Sequence, residues 1–172
     1  MFCVNDTVLY GATGICRIAD IRREKFGGEE KLYYVLKPAD NETSTIYFPV
    51  DGSKVKIRRL LSASEIMELI RYIPDAETEW IDNDQQRKES FGEILRRGDR
   101  RELVGLLKTL YQHREEKIHA GKKFRQSDEK IMKEAEKILH GEFAHVLNIA
   151  PDEVAPFIMG QLEPKENHDL LA

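Results

Sequence analysis

Two different hydrophobic patterns divide this chain near residue 60. Before that point, short runs of β-branched and aromatic residues are separated by turn signals such as Gly11-Ala12-Thr13-Gly14 and Gly27-Gly28, which supply the backbone freedom that tight reversals need. From Ser62 onward, apolar residues recur at helical spacing. Neither pattern continues into the other, so the sequence predicts an α+β chain of two unlike domains. We place them at 1–60 and 61–162, with 163–172 as a frayed tail.

The first domain is predicted to be an antiparallel meander of five or six strands that closes into a small barrel, because its apolar runs follow one another with no helical segment between them. Acidic and basic residues balance over 1–56, which favours a protein partner over a nucleic acid. The strand-forming runs are Phe2–Val4, Val8–Tyr10, Ile15–Ile21, Leu32–Leu36, Thr45–Val50 and Val55–Ile57.

The run from Thr45 to Val50 offers a surface for a partner. Strand alternation puts Thr45, Tyr47 and Pro49 on one face and Ile46 and Phe48 on the other, so only one set fills the core. Pro49 cannot donate to a β-ladder, which favours an edge strand to which another protein can add a strand. The alternative is that Pro49 simply ends the strand.

The second domain is predicted to contain about five helices, since most of the apolar stretches have a start or stop signal. Ser62 and Glu65 form a capping-box pattern, Gly98 is suited to a helix C-terminus, and Asp99 and Ser127 are expected N-caps. Pro156 is expected to limit or kink the last helix. The predicted helices cover 62–71, 83–97, 99–121, 127–147 and a short segment opened by Pro151.

Composition excludes several classes of protein. The net charge of −4 argues against a generic polyanion binder, so any nucleic-acid contact must be local. No basic and apolar leader and no apolar run of about eighteen residues is present, so we expect a cytoplasmic protein without a membrane partner. Cys3 and Cys16 both lie among strand-type residues and are expected to be buried thiols.

No catalytic, metal or cofactor site is expected. His113 and His119 are six residues apart and His140 and His145 five apart, which does not align two rings on one helical face as a metal pair requires. Solvated or capping histidines are the expected interpretation. Gly27-Gly28 lacks the lysine and helix of a phosphate-binding loop, so the sequence predicts a protein that is not an enzyme.

Two clusters of cations and one tryptophan stand out in the helical part. The cations occupy consecutive helix connections, which lie at opposite ends of a helical hairpin. They are either solvated charges or contacts to a polyanion. Trp80, in a polar stretch between helices, either packs into the core, which is the usual role of an isolated aromatic, or anchors a partner. The clusters are Arg96, Arg97, Arg100 and Arg101, and Lys122, Lys123 and Arg125.

Motifs spread along the chain to about Leu162 resemble those of the CarD (CarD/CdnL) family of bacterial transcription regulators. Their order and spacing carry the resemblance rather than any single motif. They are Val8-Leu9-Tyr10-Gly11 with Gly14, Tyr33 to Lys37, Tyr47-Phe48-Pro49-Val50, Trp80, Gly98-Asp99, Ala135 to Leu139 and Glu142-Phe143-Ala144.

The resemblance implies a Tudor/SH3-like barrel that binds the β subunit of RNA polymerase and a compact helical domain that meets promoter DNA. The family's tryptophan, here Trp80, wedges against the minor groove at the upstream edge of the melted bubble, which stabilises the open complex. Relatives carry arginines soon after the tryptophan, where this chain has Ile81 to Asp84 and then Arg87 and Lys88. The implied DNA contacts are therefore Trp80, Arg87, Lys88 and the two cation clusters.

The implied polymerase contacts lie in the barrel. Relatives carry one arginine where this chain has Tyr47 and another near Glu24, for which basic residues of the second strand are expected to compensate. A monomer is expected. The alternative hypothesis is a protein–protein adaptor on the polymerase whose helical domain recruits another regulator without touching DNA. The polymerase-binding candidates are Arg22, Arg23, Lys25, Thr45, Tyr47 and Pro49.

Overall fold

The computed structural model describes residues 1–52 and 57–163, and it confirms the α+β class. A five-stranded antiparallel sheet is followed by five α-helices. Within the described residues, no helix is long and apolar enough to cross a membrane.

The strands form one sheet in the order β4-β3-β2-β1-β5. Gly27 and Gly28 both have positive φ and connect the two longest strands in a hairpin. Among the described residues, β4 and β5 are the edge strands of the sheet. Residues 53–56 lie outside the described ranges, and they include the first two residues of the predicted run Val55–Ile57. Closure of a barrel therefore stays a prediction. The strands are β1 Thr7–Tyr10, β2 Gly14–Phe26, β3 Glu29–Pro38, β4 Ile46–Pro49 and β5 Ile57–Arg59.

Two predictions for the N-terminal segment are wrong. Phe2–Val4 is not a strand: the backbone turns there, Asn5 has a φ of 72°, and the Asp6 carboxylate accepts a hydrogen bond from the Cys3 amide. The Cys3 side chain is consequently exposed, whereas Cys16 is buried as predicted. Burial raises the pKa of the Cys16 thiol to about 11.

The helices begin and end largely where the signals predict. Ser62 and Glu65 form the capping box, and the side chains of Asn83 and Asp99 cap the next two helices. Gly98 ends the second helix in the left-handed conformation. The helices are α1 Ala63–Tyr72, α2 Asp84–Arg97, α3 Arg100–His119, α4 Gln126–Leu147 and α5 Val154–Leu162.

Two helix-end predictions need correction. Ser127 does not cap α4, because the helix already begins at Gln126 with Arg125 at the N-cap position. Pro156 does not limit α5, which continues to Leu162. It lies in the first turn, where amides have no intrahelical acceptor, so its missing N–H costs no helical hydrogen bond.

The two modules share part of a hydrophobic core. Val8, Cys16 and Ile18 pack inside the strand domain, whereas Leu9 faces the other way and belongs to the core of the helical domain. Ile15 packs against the same helical core. Alternation along β1 therefore serves both modules.

Polar contacts reinforce the junction between the modules. The Arg100 guanidinium, 13% exposed, pairs with the Glu142 carboxylate at 2.9 Å and donates to the backbone oxygen of Arg59 at 2.6 Å. Glu142 is 1% exposed. Lys137 of α4 pairs with Asp40 after β3 at 2.7 Å. The end of the helical bundle that holds Arg100 therefore rests on the sheet.

Candidate protein and nucleic-acid interfaces

The outer face of the sheet gathers four of the six polymerase-binding candidates. Tyr33 of β3 lies opposite both Arg22 of β2 and Pro49 of β4, and Val35 lies opposite Tyr47. Residues opposite one another in a ladder share a face, so Arg22, Tyr47 and Pro49 lie on the same face of the sheet. Thr45, two residues before Tyr47, continues this face by strand alternation.

An aromatic cluster covers this outer face. Phe26 contacts Tyr33 and Tyr47 in edge-to-face geometry, with ring centroids 5.1 and 5.2 Å away. Phe26 is 49% exposed and Tyr47 37% exposed. Arg22 donates a hydrogen bond to the Tyr47 hydroxyl at 2.8 Å and pairs with Glu24 at 2.7 Å. Exposed aromatic rings with a neighbouring arginine are typical of the centre of a protein–protein interface.

The remaining two polymerase-binding candidates lie on the other face. Arg23 and Lys25 alternate with Arg22 along β2, opposite Leu32 and Glu30 respectively. One flat partner surface cannot contact both sets. Among the described residues β4 is an edge strand and Pro49 is its last residue, so Pro49 both lies at an edge and ends a strand. Addition of a partner's strand at this edge stays a prediction.

The segment that carries Trp80 is fixed against the middle of α3. A Cβ atom at Gly105 would lie 2.9 Å from the Glu77 backbone oxygen and 3.0 Å from the Thr78 hydroxyl, so only glycine permits this close approach. The Thr109 hydroxyl accepts from the Thr78 amide and donates to the Thr78 carbonyl, both at 3.1 Å. The backbone two residues before Trp80 is therefore held at a defined place.

Three side chains surround the Trp80 indole, which is half-buried. The His113 ring stacks on it with a centroid distance of 3.6 Å and an angle of 17°. Phe91 of α2 meets it edge to face at 5.9 Å, and the Arg87 guanidinium lies 4.6 Å from the ring centroid. Trp80 thus both packs against the helical core and keeps part of its surface in solvent.

Arg87 does not fit its predicted role as a phosphate contact. Its side chain is 3% exposed and bonds to Asp128 through two nitrogens at 2.9 and 3.0 Å. It also donates to Asp84 and to the backbone oxygens of Ile81 and Asp82. A buried guanidinium with these partners supports Trp80 from inside. Lys88, its neighbour in sequence, is exposed.

The α3–α4 connection, residues 120–125, lies at the same end of the bundle as Trp80; we call it the far turn. Lys122 and Lys123 are exposed, and in the described part of the chain neither has a salt bridge. Arg125 is exposed and pairs with Asp84 at 2.6 Å. The far turn therefore offers cations beside Trp80.

The α2–α3 connection lies at the opposite end; together with the helix residues on either side of it, residues 96–101, we call it the junction turn. The axial rise of α3 between Arg100 and His113 is about 20 Å, so these cations do not join Trp80 in one compact site. Arg100 is held by the Glu142 carboxylate and the Arg59 backbone oxygen, which leaves its guanidinium less available to DNA than those of the other arginines in the turn. Arg97 pairs with Glu102 at 2.7 Å, Arg96 with Glu93 at 3.5 Å, and Arg101 covers the Tyr72 ring.

Sequence reasoning missed three residues around Trp80. Leu106 and Leu110 belong to the buried stripe of α3, and His113 and Lys117 continue it at steps of three and four residues. This spacing places both residues on the buried side of the helix. Phe124 in the far turn lines the same shallow cavity of about 150 Å³ beside Trp80. The three-residue step from Leu110 to His113, after the four-residue step from Leu106, is the signal that reveals this placement.

Metal chemistry has no candidate among residues 1–52 and 57–163, where no group of three or more histidine, cysteine or carboxylate side chains is arranged to hold an ion. Residues 2–61 match the family model described as the CarD-like/TRCF RID domain. The match covers the strand module and its connection to α1.

Proposed function

Residues 2–61 form a CarD-like RNA polymerase-interacting domain, and we propose that the protein stabilises the promoter open complex. The domain supports a transcription-related role in binding RNA polymerase. In this proposal the outer sheet face docks on the β subunit. The far end of the helical domain presents Trp80 to the upstream edge of the melted bubble. The protein acts in the cytoplasm, as a monomer and without catalysis.

One observation carries the proposal. The rigidly placed, half-exposed Trp80 lies with the exposed Lys122 and Lys123 at the end of the bundle that points away from the junction with the polymerase-binding module. A protein that bridges polymerase and DNA needs its two contact surfaces at separate ends, and this chain has candidate surfaces at both.

The energies are adequate for such a role. An aromatic wedge at an unstacked base step contributes about 1–3 kcal/mol without reading sequence. That amount shifts a balanced melting equilibrium severalfold or more. Weak intrinsic DNA affinity, expected of an acidic chain, is sufficient because polymerase binding makes the DNA contact intramolecular.

The decisive experiment is the decay of open complexes formed with Trp80→Ala. We expect binding to polymerase to be unchanged and the lifetime to fall toward its value without the protein, with Trp80→Phe intermediate. An unchanged lifetime for a folded Trp80→Ala protein contradicts the proposal. A footprint that depends on polymerase but ignores both Trp80 and the lysines of the far turn favours the adaptor alternative.

A second experiment tests the docking surface. Phe26→Ala and Tyr47→Ala remove the exposed rings of the outer face, and we expect each to weaken polymerase binding by about tenfold or more, as for interface aromatics. Val4→Ala is a matched control, because Val4 is also an exposed apolar residue but lies outside the sheet. Equal affinities for all three variants would rule out this face as the docking surface.

A further inference from the structure

The stacked pair of Trp80 and His113 constrains how the indole can meet DNA. Parallel rings with centroids 3.6 Å apart are in van der Waals contact, so the covered indole face is closed to a nucleobase. On the core side, Phe91 and Arg87 also contact the ring. DNA can therefore contact only the part of the indole that His113, Phe91 and Arg87 do not cover.

His113 is itself well anchored. It lies in α3, six residues before the end of the helix, and its side chain is 23% exposed. Trp80, by contrast, is in a segment without regular secondary structure between the 3-10 turn that follows α1 and the start of α2. A ring on a helix therefore supports a ring on a loop, which is how a loop side chain acquires a fixed orientation.

We propose that His113 is a positioning residue for Trp80: it stays stacked on the indole when DNA is bound, so that the protein presents a preformed, rigid wedge. This inference rests on the proposed function of Trp80. The wedge then acts by occupying the space of a displaced base pair rather than by intercalating an open indole face. Preorganisation of this kind removes the ordering cost of the indole from the DNA-binding step.

The alternative is that His113 is a competitor, which a nucleobase replaces on the indole face. The two hypotheses predict opposite signs for one variant. If His113 positions Trp80, His113→Ala shortens the lifetime of the open complex. If His113 competes with DNA, the same variant lengthens it.

The experiment measures open-complex decay for His113→Ala, His113→Phe and the control His119→Ala, an exposed histidine of the same helix. We expect His113→Ala to shorten the lifetime by about two- to tenfold, which is the value of one aromatic stack. His113→Phe should largely restore it, because phenylalanine keeps the planar contact. His119→Ala should match the unmodified protein.

Intrinsic fluorescence supplies an independent readout, since Trp80 is the single tryptophan of the chain. We expect acrylamide to quench Trp80 more strongly in His113→Ala than in His113→Phe, with both proteins folded by circular dichroism. Greater quenching with an unchanged or longer open-complex lifetime overturns the positioning role, and so does unchanged quenching. Failure of the proposed function itself is distinguishable, because then Trp80→Ala leaves the lifetime unchanged while the fluorescence difference persists.

Discussion

The two ends of the helical domain use arginine–carboxylate chemistry in different ways. At the junction turn, Arg100 is enclosed by Glu142 and a backbone oxygen of the strand module, so its charge joins two modules. At the far end, Arg87 is enclosed by Asp128, but lysines remain exposed beside it. The difference shows that a cluster of cations in sequence does not reveal which charges are available to a partner.

The largest expected effects come from breaking either buried pair. Glu142→Ala removes the buried partner of the mostly covered Arg100 charge, and Arg87→Ala leaves the buried Asp128 carboxylate without its partner. Each should lower the free energy of unfolding by about 3–5 kcal/mol, measured by urea denaturation. Glu102→Ala breaks the exposed pair with Arg97 and should cost about 1 kcal/mol or less.

Spectroscopy then separates the two ends. Arg87→Ala should also alter Trp80 emission, because the guanidinium lies 4.6 Å from the ring, whereas Glu142→Ala should leave it unchanged in the folded protein. If both variants cost no more than Glu102→Ala, these pairs do not support the ends of the bundle. If both change the emission equally, the ends are not independent.

The sequence predicted the division into two modules, the hairpin at Gly27-Gly28 and most helix ends, because these depend on local patterns. It did not predict the burial of Arg87 or the pairing of Arg100 with a buried carboxylate. Their partners, Asp128 and Glu142, lie 41 and 42 residues away, and such long-range pairing leaves no local signal. The error at Cys3 has a different, local origin, because the Asp6 carboxylate three residues away forms a polar turn that replaces the strand its apolar neighbours suggest.

The next effect concerns the close approach that places Trp80. Gly105→Ala puts a methyl group 2.9 Å from the Glu77 oxygen, so it should destabilise the fold by about 1–3 kcal/mol and increase the quenching of Trp80. Gly92→Ala is the matched control in α2, where a Cβ atom meets nothing within 4 Å. It should be neutral or stabilise by up to about 1 kcal/mol. Equal effects of the two variants would contradict a fixed Trp80 segment.

A smaller effect compares the cations of the two turns on DNA. Replacing both Lys122 and Lys123 by alanine should reduce the salt dependence of open-complex decay, with a change in log–log slope of up to about 1.8 if both contact phosphates. Arg96→Ala with Arg101→Ala removes the same charge at the junction turn and should leave the slope nearly unchanged. A larger change from the arginine pair would reverse the assignment of the two ends.

The smallest effect is a pH dependence of stability at the far end. Desolvation, followed by the nearby Lys117 charge, lowers the pKa of His113 below 6.5, and Arg87 of α2 acts in the same direction. Glu116 on the same helix and Asp128 of α4 oppose this shift without cancelling it.

The unfolded chain therefore binds more protons than the folded one near pH 6, so the free energy of unfolding falls as the pH drops below 6.5. His113→Phe removes this contribution and should flatten the decline between pH 7.5 and 5.5 in thermal unfolding. His119→Ala, at an exposed histidine of the same helix, is the matched control. His140 contributes in the same sense from the junction side, since burial also lowers its pKa. A decline that survives in His113→Phe but disappears in His140→Phe would locate the pH sensitivity at the other end of the helical domain.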